Sequence, residues 1–227
     1  MSSTKRVGSR AFPDQASLAR LGTLVRRRLN ADPSVYKLPT ERAELYAVGG
    51  FLAPDECARL IAMIDEVAKP STVFDPESQS RYRTSHSGDV DPNDSFVRMI
   101  ERRLGDLTGI DLTWGETVQG QRYHPGQEYR GHHDWFNIAA GYWPKEVRRG
   151  GQRSWTAMAY LNDVEEGGVT AFTRIGAEVT PERGLLIVWN NATPDGKPNP
   201  YTLHAALPVV KGVKYVITKW FRTRPWT

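Results

Sequence analysis

The chain has 227 residues, 39% of them hydrophobic and 25% charged, and a formal net charge of +4 at pH 7. That is enough apolar material for one domain with an appendage, and with a mean hydropathy of −0.52 no run approaches the roughly 20 apolar residues of a membrane span. A single cysteine, Cys57, excludes an internal disulfide, and the opening MSSTKRVGSRAF lacks the apolar stretch of a secretory signal, so the expectation is a cytoplasmic protein with no membrane contact.

Residues 1–44 read as an N-terminal extension, partly helical. From Ala16 to Leu29, the residues Leu18, Leu21, Val25 and Leu29 recur at spacings of three and four, which predicts a helix packed on the main body. Residues 46–51 read as a strand ending in Gly49-Gly50. Pro54 then suits a first helical position, with Asp55 and Glu56 at the positive end of the dipole and Leu60, Ile61, Ile64 and Val67 as the buried stripe. Residues 69–94 are polar and read as a long loop that covers the site, with room for a short strand. Helical spacing returns over 96–107 through Val97, Ile100 and Leu104.

Beyond Gly109 the pattern changes to strands over 118–124, 156–161, 185–189, 201–206 and 214–221, rich in β-branched and aromatic residues and punctuated by Gly, Pro and Asn. Early helices followed by many short strands predict an α+β layout, best fitted by a double-stranded β-helix (jelly roll) over residues 45–227, braced by the N-terminal helices.

The chemistry concentrates in His132, Asp134 and His204. Positions i and i+2 of extended backbone share a face, so His132 and Asp134 can aim at one ion while His133 faces away. His204, in a separate strand, completes two imidazoles and one carboxylate, the facial set that non-haem Fe(II) oxygenases use. Lys214 opens an apolar strand, and a lysine directed into an interior is costly unless an anion meets it. The distal carboxylate of 2-oxoglutarate would be such an anion, with hydroxyls of Tyr123 and Thr170 as further donors. The odd offset of Lys219 puts it on the opposite, solvent-facing side. Tyr129, Trp189 and Trp220 could form walls, Trp189 more as core than as site. The positive excess sits at 20–28 and 148–153, not along one long face, which fits a basic segment plus an anion site better than a nucleic-acid surface.

Further residues in order carry a resemblance: Tyr123, Gly126, Gln127, Tyr129, His132, Asp134 and Phe136; the run Gly150-Gly151-Gln152-Arg153 with Thr156; Tyr160-Leu161-Asn162-Asp163-Val164; Glu166-Gly167-Gly168, Thr170 and Phe172; Gly184, Trp189, Asp195-Gly196, His204, Pro208-Val209, Gly212, Lys214 and Trp220. The sequence resembles the prolyl 4-hydroxylase family of Fe(II)/2-oxoglutarate dioxygenases from about residue 45 to the end. The resemblance implies Fe(II) on His132, Asp134 and His204, 2-oxoglutarate on Lys214, Tyr123 and Thr170, and a prolyl peptide or protein against Tyr129, Arg153 and Trp220. It also implies O2 as co-substrate and ascorbate as the reductant that rescues oxidised iron. Val169, Thr173 and Tyr215 depart from residues frequent in the family, none of them at a metal ligand. The loop 137–149 is particular to this chain and would shape the substrate entrance. A hydroxylase of a free amino acid or small metabolite would use a similar pocket. A nucleic-acid demethylase would share the triad, but such enzymes usually grip the keto acid with arginine rather than lysine.

Overall fold

The apolar stripes read from the sequence become the buried faces of three helices in a computed structural model that describes residues 14–71 and 82–227. Helix α1 (Gln15–Ala31) buries Leu18, Leu21, Val25 and Leu29, and α2 (Pro54–Val67) buries Cys57, Leu60 and Ile64, whereas Ile61 and Val67, expected in its buried stripe, are only half-buried. Helix α3 (Ser95–Thr108) is capped by Asp94, whose carboxylate accepts from the N–H groups of Phe96 and Val97 at 2.7 and 3.3 Å. It stops at Gly109, where φ of 72° suits a residue without a side chain.

In chain order the strands are β1 (Tyr36–Lys37), β2 (Leu45–Val48), β3 (Lys69–Pro70), β4 (His86–Asp89), β5 (Gln119–Tyr123), β6 (Tyr129–His132) and β7 (Arg153–Tyr160). There follow β8 (Glu166–Gly167), β9 (Thr170–Phe172), β10 (Ala177–Val179), β11 (Leu186–Asn190), β12 (His204–Ala206), β13 (Val209–Lys211) and β14 (Lys214–Arg222). They build an antiparallel eight-stranded sheet in the order β1-β2-β11-β7-β14-β5-β4-β3, a four-stranded sheet β10-β9-β12-β6 and a two-stranded ribbon β13-β8. The result is a mixed helix and antiparallel-sheet architecture.

Strand parity divides the large sheet into two faces. Trp155, Ala157 and Ala159 of β7 and Ile217 and Phe221 of β14 join the helices in one core cluster, with Leu21, Val25, Leu60, Ile64 and Ile100. The alternate residues Met158, Tyr160 and Val216 join Tyr123, Ile187 and Trp189 in a second cluster. That cluster also takes in Phe172 and Ala206 of the four-stranded sheet, so it lies between the two sheets. Close approach is needed on the helix side: a Cβ on Gly120 of β5 would lie 2.2 Å from Ile64 Cγ1 of α2.

Several expectations are corrected. The strand expected over 201–206 is shorter, because Pro200–Thr202 forms a 3-10 turn held by the Asn199 side chain, which accepts from Tyr201 N–H at 2.9 Å. The loop at 137–149 contains a short helix, α4 (Trp143–Arg148). Within 69–94, β3 and β4 extend the sheet edge, and Tyr82 and Arg83 border the site, while 72–81 lie outside the described residues. Lys219 does lie on the face opposite Lys214, but that face is covered by α3. Lys219 is 3% exposed and its ammonium meets Glu101 of α3 at 2.5 Å.

Removing one partner of a buried pair leaves an uncompensated charge. Glu101→Ala is therefore expected to destabilise the fold by about 3 kcal/mol in denaturant unfolding. The double variant Glu101→Leu/Lys219→Met is expected to recover most of that loss.

Candidate metal centre and substrate cleft

Register brings the two histidines together: His204 of β12 pairs directly with His132 of β6. Their ring centroids lie 4.2 Å apart. Asp134 follows β6 in a bend and turns its carboxylate between them, with Oδ1 at 3.8 Å from His132 Nε2 and 3.9 Å from His204 Nε2. One donor atom from each of the three lies within 4.8 Å of the others, a spacing one divalent ion can bridge.

The hydrogen bonds outside the triad fix the donor atoms. His132 Nδ1 lies 2.8 Å from Arg130 O and His204 Nδ1 lies 3.0 Å from Thr202 O. A carbonyl only accepts, so both Nδ1 atoms carry the proton, and in the neutral rings both Nε2 lone pairs point inward. Burial, then the neighbouring His204, pushes the His132 pKa well below its ordinary value, which keeps that ring neutral. Burial works against ionisation of Asp134, yet the facing His204 and His132 rings when protonated, and Arg153 and the Thr156 hydroxyl whatever the state of those rings, hold its carboxyl below the usual range. Asp134 Oδ2 accepts from the Thr156 hydroxyl at 2.7 Å, which leaves Oδ1 to face the histidines. Two imidazole nitrogens and one carboxylate oxygen on one side suit Fe(II) chemically.

Lys214 begins β14 opposite Tyr123 of β5 and is 1% exposed. It reaches across to the second sheet, donating to Gly168 O at 2.7 Å and to the Thr170 hydroxyl at 3.2 Å. The Tyr123 and Tyr160 ring centroids lie 5.4 and 5.3 Å from its nitrogen. Among the described residues no carboxylate pairs with it, and burial pulls its pKa down to about 7. The cation expected for an anion is thus held inside with Tyr123 and Thr170 beside it. Tyr123, however, donates its hydroxyl proton to Gln121 Oε1 at 2.7 Å, a partner it would have to exchange to donate to a ligand.

A cleft of about 540 Å³ opens onto Asp134, lined by Tyr129, Arg153 and Trp220 among others; His132, His204 and Lys214 are not among its lining residues. The Tyr129 ring stacks on His132 at 3.5 Å between centroids, with the Arg83 guanidinium 4.7 Å from the Tyr129 ring centre. Arg153 lies 4.0 Å over Trp220. Trp189 is core: it packs edge-on to His204 at 4.9 Å and does not line the cleft. His133 is not among the three converging ligands; it stacks on Trp135 at 5.1 Å and lines the cleft, where burial lowers its pKa to about 4.

The sequence reading missed the charges that hold the cleft wall. Glu116 accepts from Arg153 Nε and Nη2 at 2.6 and 2.8 Å and lies 2.6 Å from Arg222 Nε. Arg222 also donates to Glu146 of α4 at 2.6 Å. Arg222 is therefore committed to two carboxylates. Nothing local marks these pairings, since the partners lie 37 to 106 positions apart in sequence. Thr156 is the exception: it shares the inward parity of Met158 and Tyr160, which points a hydroxyl toward the site.

Asp134→Ala and His204→Ala are each expected to abolish tight binding of one Mn(II) per chain, measured by the free-ion signal in electron paramagnetic resonance. Undiminished binding in either variant would remove these residues from the centre.

With this geometry in place, comparison with known proteins is informative. The model of the 2OG-Fe(II) oxygenase superfamily matches residues 118–222. Probable prolyl 4-hydroxylase 10 of Arabidopsis thaliana is 34% identical over 210 residues, covering 82% of this chain and 70% of that protein. Prolyl 4-hydroxylase subunit alpha-1 of Gallus gallus is 36% identical over 173 residues, which are 72% of this chain but 33% of that subunit. The solved viral collagen prolyl hydroxylase of Paramecium bursaria Chlorella virus-1, in its 2OG complex, aligns with a TM-score of 0.62 at 28% identity, covering 78% of this chain and 95% of that one. The chain belongs to the prolyl 4-hydroxylase family of 2OG-Fe(II) oxygenases.

Proposed function

We propose that this protein is an Fe(II)- and 2-oxoglutarate-dependent dioxygenase that hydroxylates a prolyl residue in a peptide or protein. The observation that carries the reading is the convergence of His132, Asp134 and His204, with Lys214 buried beside Tyr123 and Thr170 and, among the described residues, paired with no carboxylate. When bound, the iron with 2-oxoglutarate and O2 supplies the oxidising power that replaces an unactivated C–H bond by C–OH.

The chain's own residues do the rest. His132 and His204 present neutral Nε2 donors, and Asp134 presents a single oxygen. Lys214 and the Thr170 hydroxyl supply charge and a hydrogen bond for the distal carboxylate of the keto acid. Tyr129, held between His132 and Arg83, and Trp220, beneath Arg153, put aromatic carbon at the cleft wall for a pyrrolidine ring, and Arg153 adds a donor for a peptide carbonyl. The cleft volume lies within the range of small-ligand and residue-sized sites. Relatives named prolyl 4-hydroxylases, and a solved prolyl hydroxylase bound to a hypoxia inducible factor peptide fragment, support a peptide or protein as partner.

Three finer readings are proposed with it. The two antiparallel sheets that share the second cluster are read as the halves of a double-stranded β-helix, on the support of that common core. Residues 45–227 are read as the catalytic unit and 1–44 as an extension that braces it through Leu21, Val25 and Leu29. Ascorbate as reductant rests on the family resemblance alone and is checked by adding and omitting it during prolonged turnover.

The test is mass spectrometry of proline-containing peptides after incubation with enzyme, Fe(II) and 2-oxoglutarate. A gain of one oxygen atom on proline that needs both iron and keto acid is expected. Keto-acid consumption with peptides untouched and a free amino acid oxidised would favour the small-metabolite alternative.

Lys214→Ala is expected to raise the 2-oxoglutarate requirement at least about tenfold, equivalent to about 1.4 kcal/mol. The lysine also fixes a pH dependence. With its pKa near 7 in the ligand-free protein, it is largely neutral above that pH, whereas a bound carboxylate favours the charged form. Binding above pH 7 must therefore take up a proton, and affinity falls by up to about tenfold per pH unit as pH rises. Calorimetry of 2-oxoglutarate binding to Mn(II)-loaded protein at pH 8 in buffers of different ionisation enthalpy is expected to show this uptake. Its absence would mean the lysine is charged before the ligand arrives.

A further inference from the structure

Asp134 spends one oxygen on the triad and the other on a chain of buried polar groups. Its Oδ2 accepts from Thr156 Oγ1 at 2.7 Å, and the same Oγ1 accepts from Asn191 Nδ2 at 2.9 Å. The direction of this chain is fixed by chemistry. An ionised carboxylate only accepts, so the threonine proton points to Asp134, and the remaining lone pair of Oγ1 can take only a donor. That requires the amide nitrogen, not the oxygen, of Asn191 to face Thr156.

The chain is rooted in the interior of the large sheet. Thr156 is 0% exposed on β7, which pairs with β11 on one side and β14 on the other. Asn191 is 1% exposed immediately after β11. Its N–H donates to Ser154 O at 2.8 Å and its carbonyl accepts from Asn199 N–H at 3.0 Å. Asp134, by contrast, sits in a bend beyond the end of β6, where the backbone ladder no longer holds it. A carboxylate free to rotate there could offer both oxygens to an ion and consume a position that a chelating keto acid needs.

Resting on the dioxygenase reading above, we propose that Thr156 and Asn191 are positioning residues that lock Asp134 into single-oxygen ligation from the large sheet. Neither belongs to the three residues that converge as ligands. Thr156 restrains the ligand, and Asn191 restrains Thr156.

The test reads metal binding and ligand geometry rather than turnover. Mn(II) alone is titrated and followed by electron paramagnetic resonance, and Co(II) alone is titrated and followed by its visible spectrum. Thr156→Val keeps the shape and removes the hydroxyl, and is expected to weaken Mn(II) binding about 10- to 100-fold and to shift the Co(II) bands. Thr156→Ser restores the hydroxyl and is expected to recover wild-type binding and spectrum. Asn191→Ala is expected to weaken binding less, and to add nothing in the Thr156→Val background, because it acts only through that hydroxyl. Should Thr156→Val not fold, Asn191→Ala with Thr156→Ser still decides the matter: wild-type affinity in Asn191→Ala, or equal damage in Thr156→Ser, overturns the proposal. Unchanged Mn(II) affinity and Co(II) bands in a folded Thr156→Val protein overturn it directly. If instead the wild-type protein holds no Mn(II) that Asp134→Ala releases, the metal reading itself fails.

Discussion

One buried carboxylate organises this molecule. Asp134 is 6% exposed, and an ionised group taken that far from water is costly unless cations or fixed donors surround it. Its surroundings come from three separate parts of the chain: His132 from the end of β6 just before it, His204 from β12, and Thr156 from the opposite sheet. The two sheets must therefore face each other at a set distance for the charge to be tolerated at all. A divalent ion completes this arrangement, since the imidazole lone pairs and the carboxylate oxygen otherwise confront one another without a positive partner between them.

The alternation of strands does the sorting. On β14, even-numbered positions enter the space between the sheets and odd-numbered ones meet the helices. This places Lys214 inward, against Thr170 and the Gly168 carbonyl, and Lys219 outward under α3, against Glu101. Both lysines are buried, but their states differ. Lys219 has a carboxylate and serves the fold. Among the described residues Lys214 has only neutral acceptors, so its solvation is incomplete until an anion arrives. The same parity turns Trp220 and Arg222 toward the cleft, where Glu116 and Glu146 hold the guanidinium groups in a fixed wall.

Much of this was legible because it rests on short-range pattern. The stripes Leu18 to Leu29, Leu60 to Val67 and Val97 to Leu104 mark the helices, and the spacing of His132 and Asp134 marks a shared face. What stayed hidden depends on which elements cover which face. Lys219 reads as solvent-facing until α3 is laid over it. Glu116, Glu146 and Asn191 carry no local signature, because their partners are remote in sequence. Residues 201–206 have strand-like composition, but the Asn199 cap and Pro200 favour a tight turn there.

The central claim is that one iron and one keto acid bind side by side, the first on residues 132, 134 and 204 and the second on residue 214. It is tested most directly by anaerobic titration of Fe(II)-loaded protein with 2-oxoglutarate, followed by visible absorption. A metal-to-ligand charge-transfer band saturating at one equivalent is expected in the wild type, absent in His204→Ala, and reached only at much higher 2-oxoglutarate in Lys214→Ala. No band in the wild type, or one that develops identically in all three proteins, would contradict the claim.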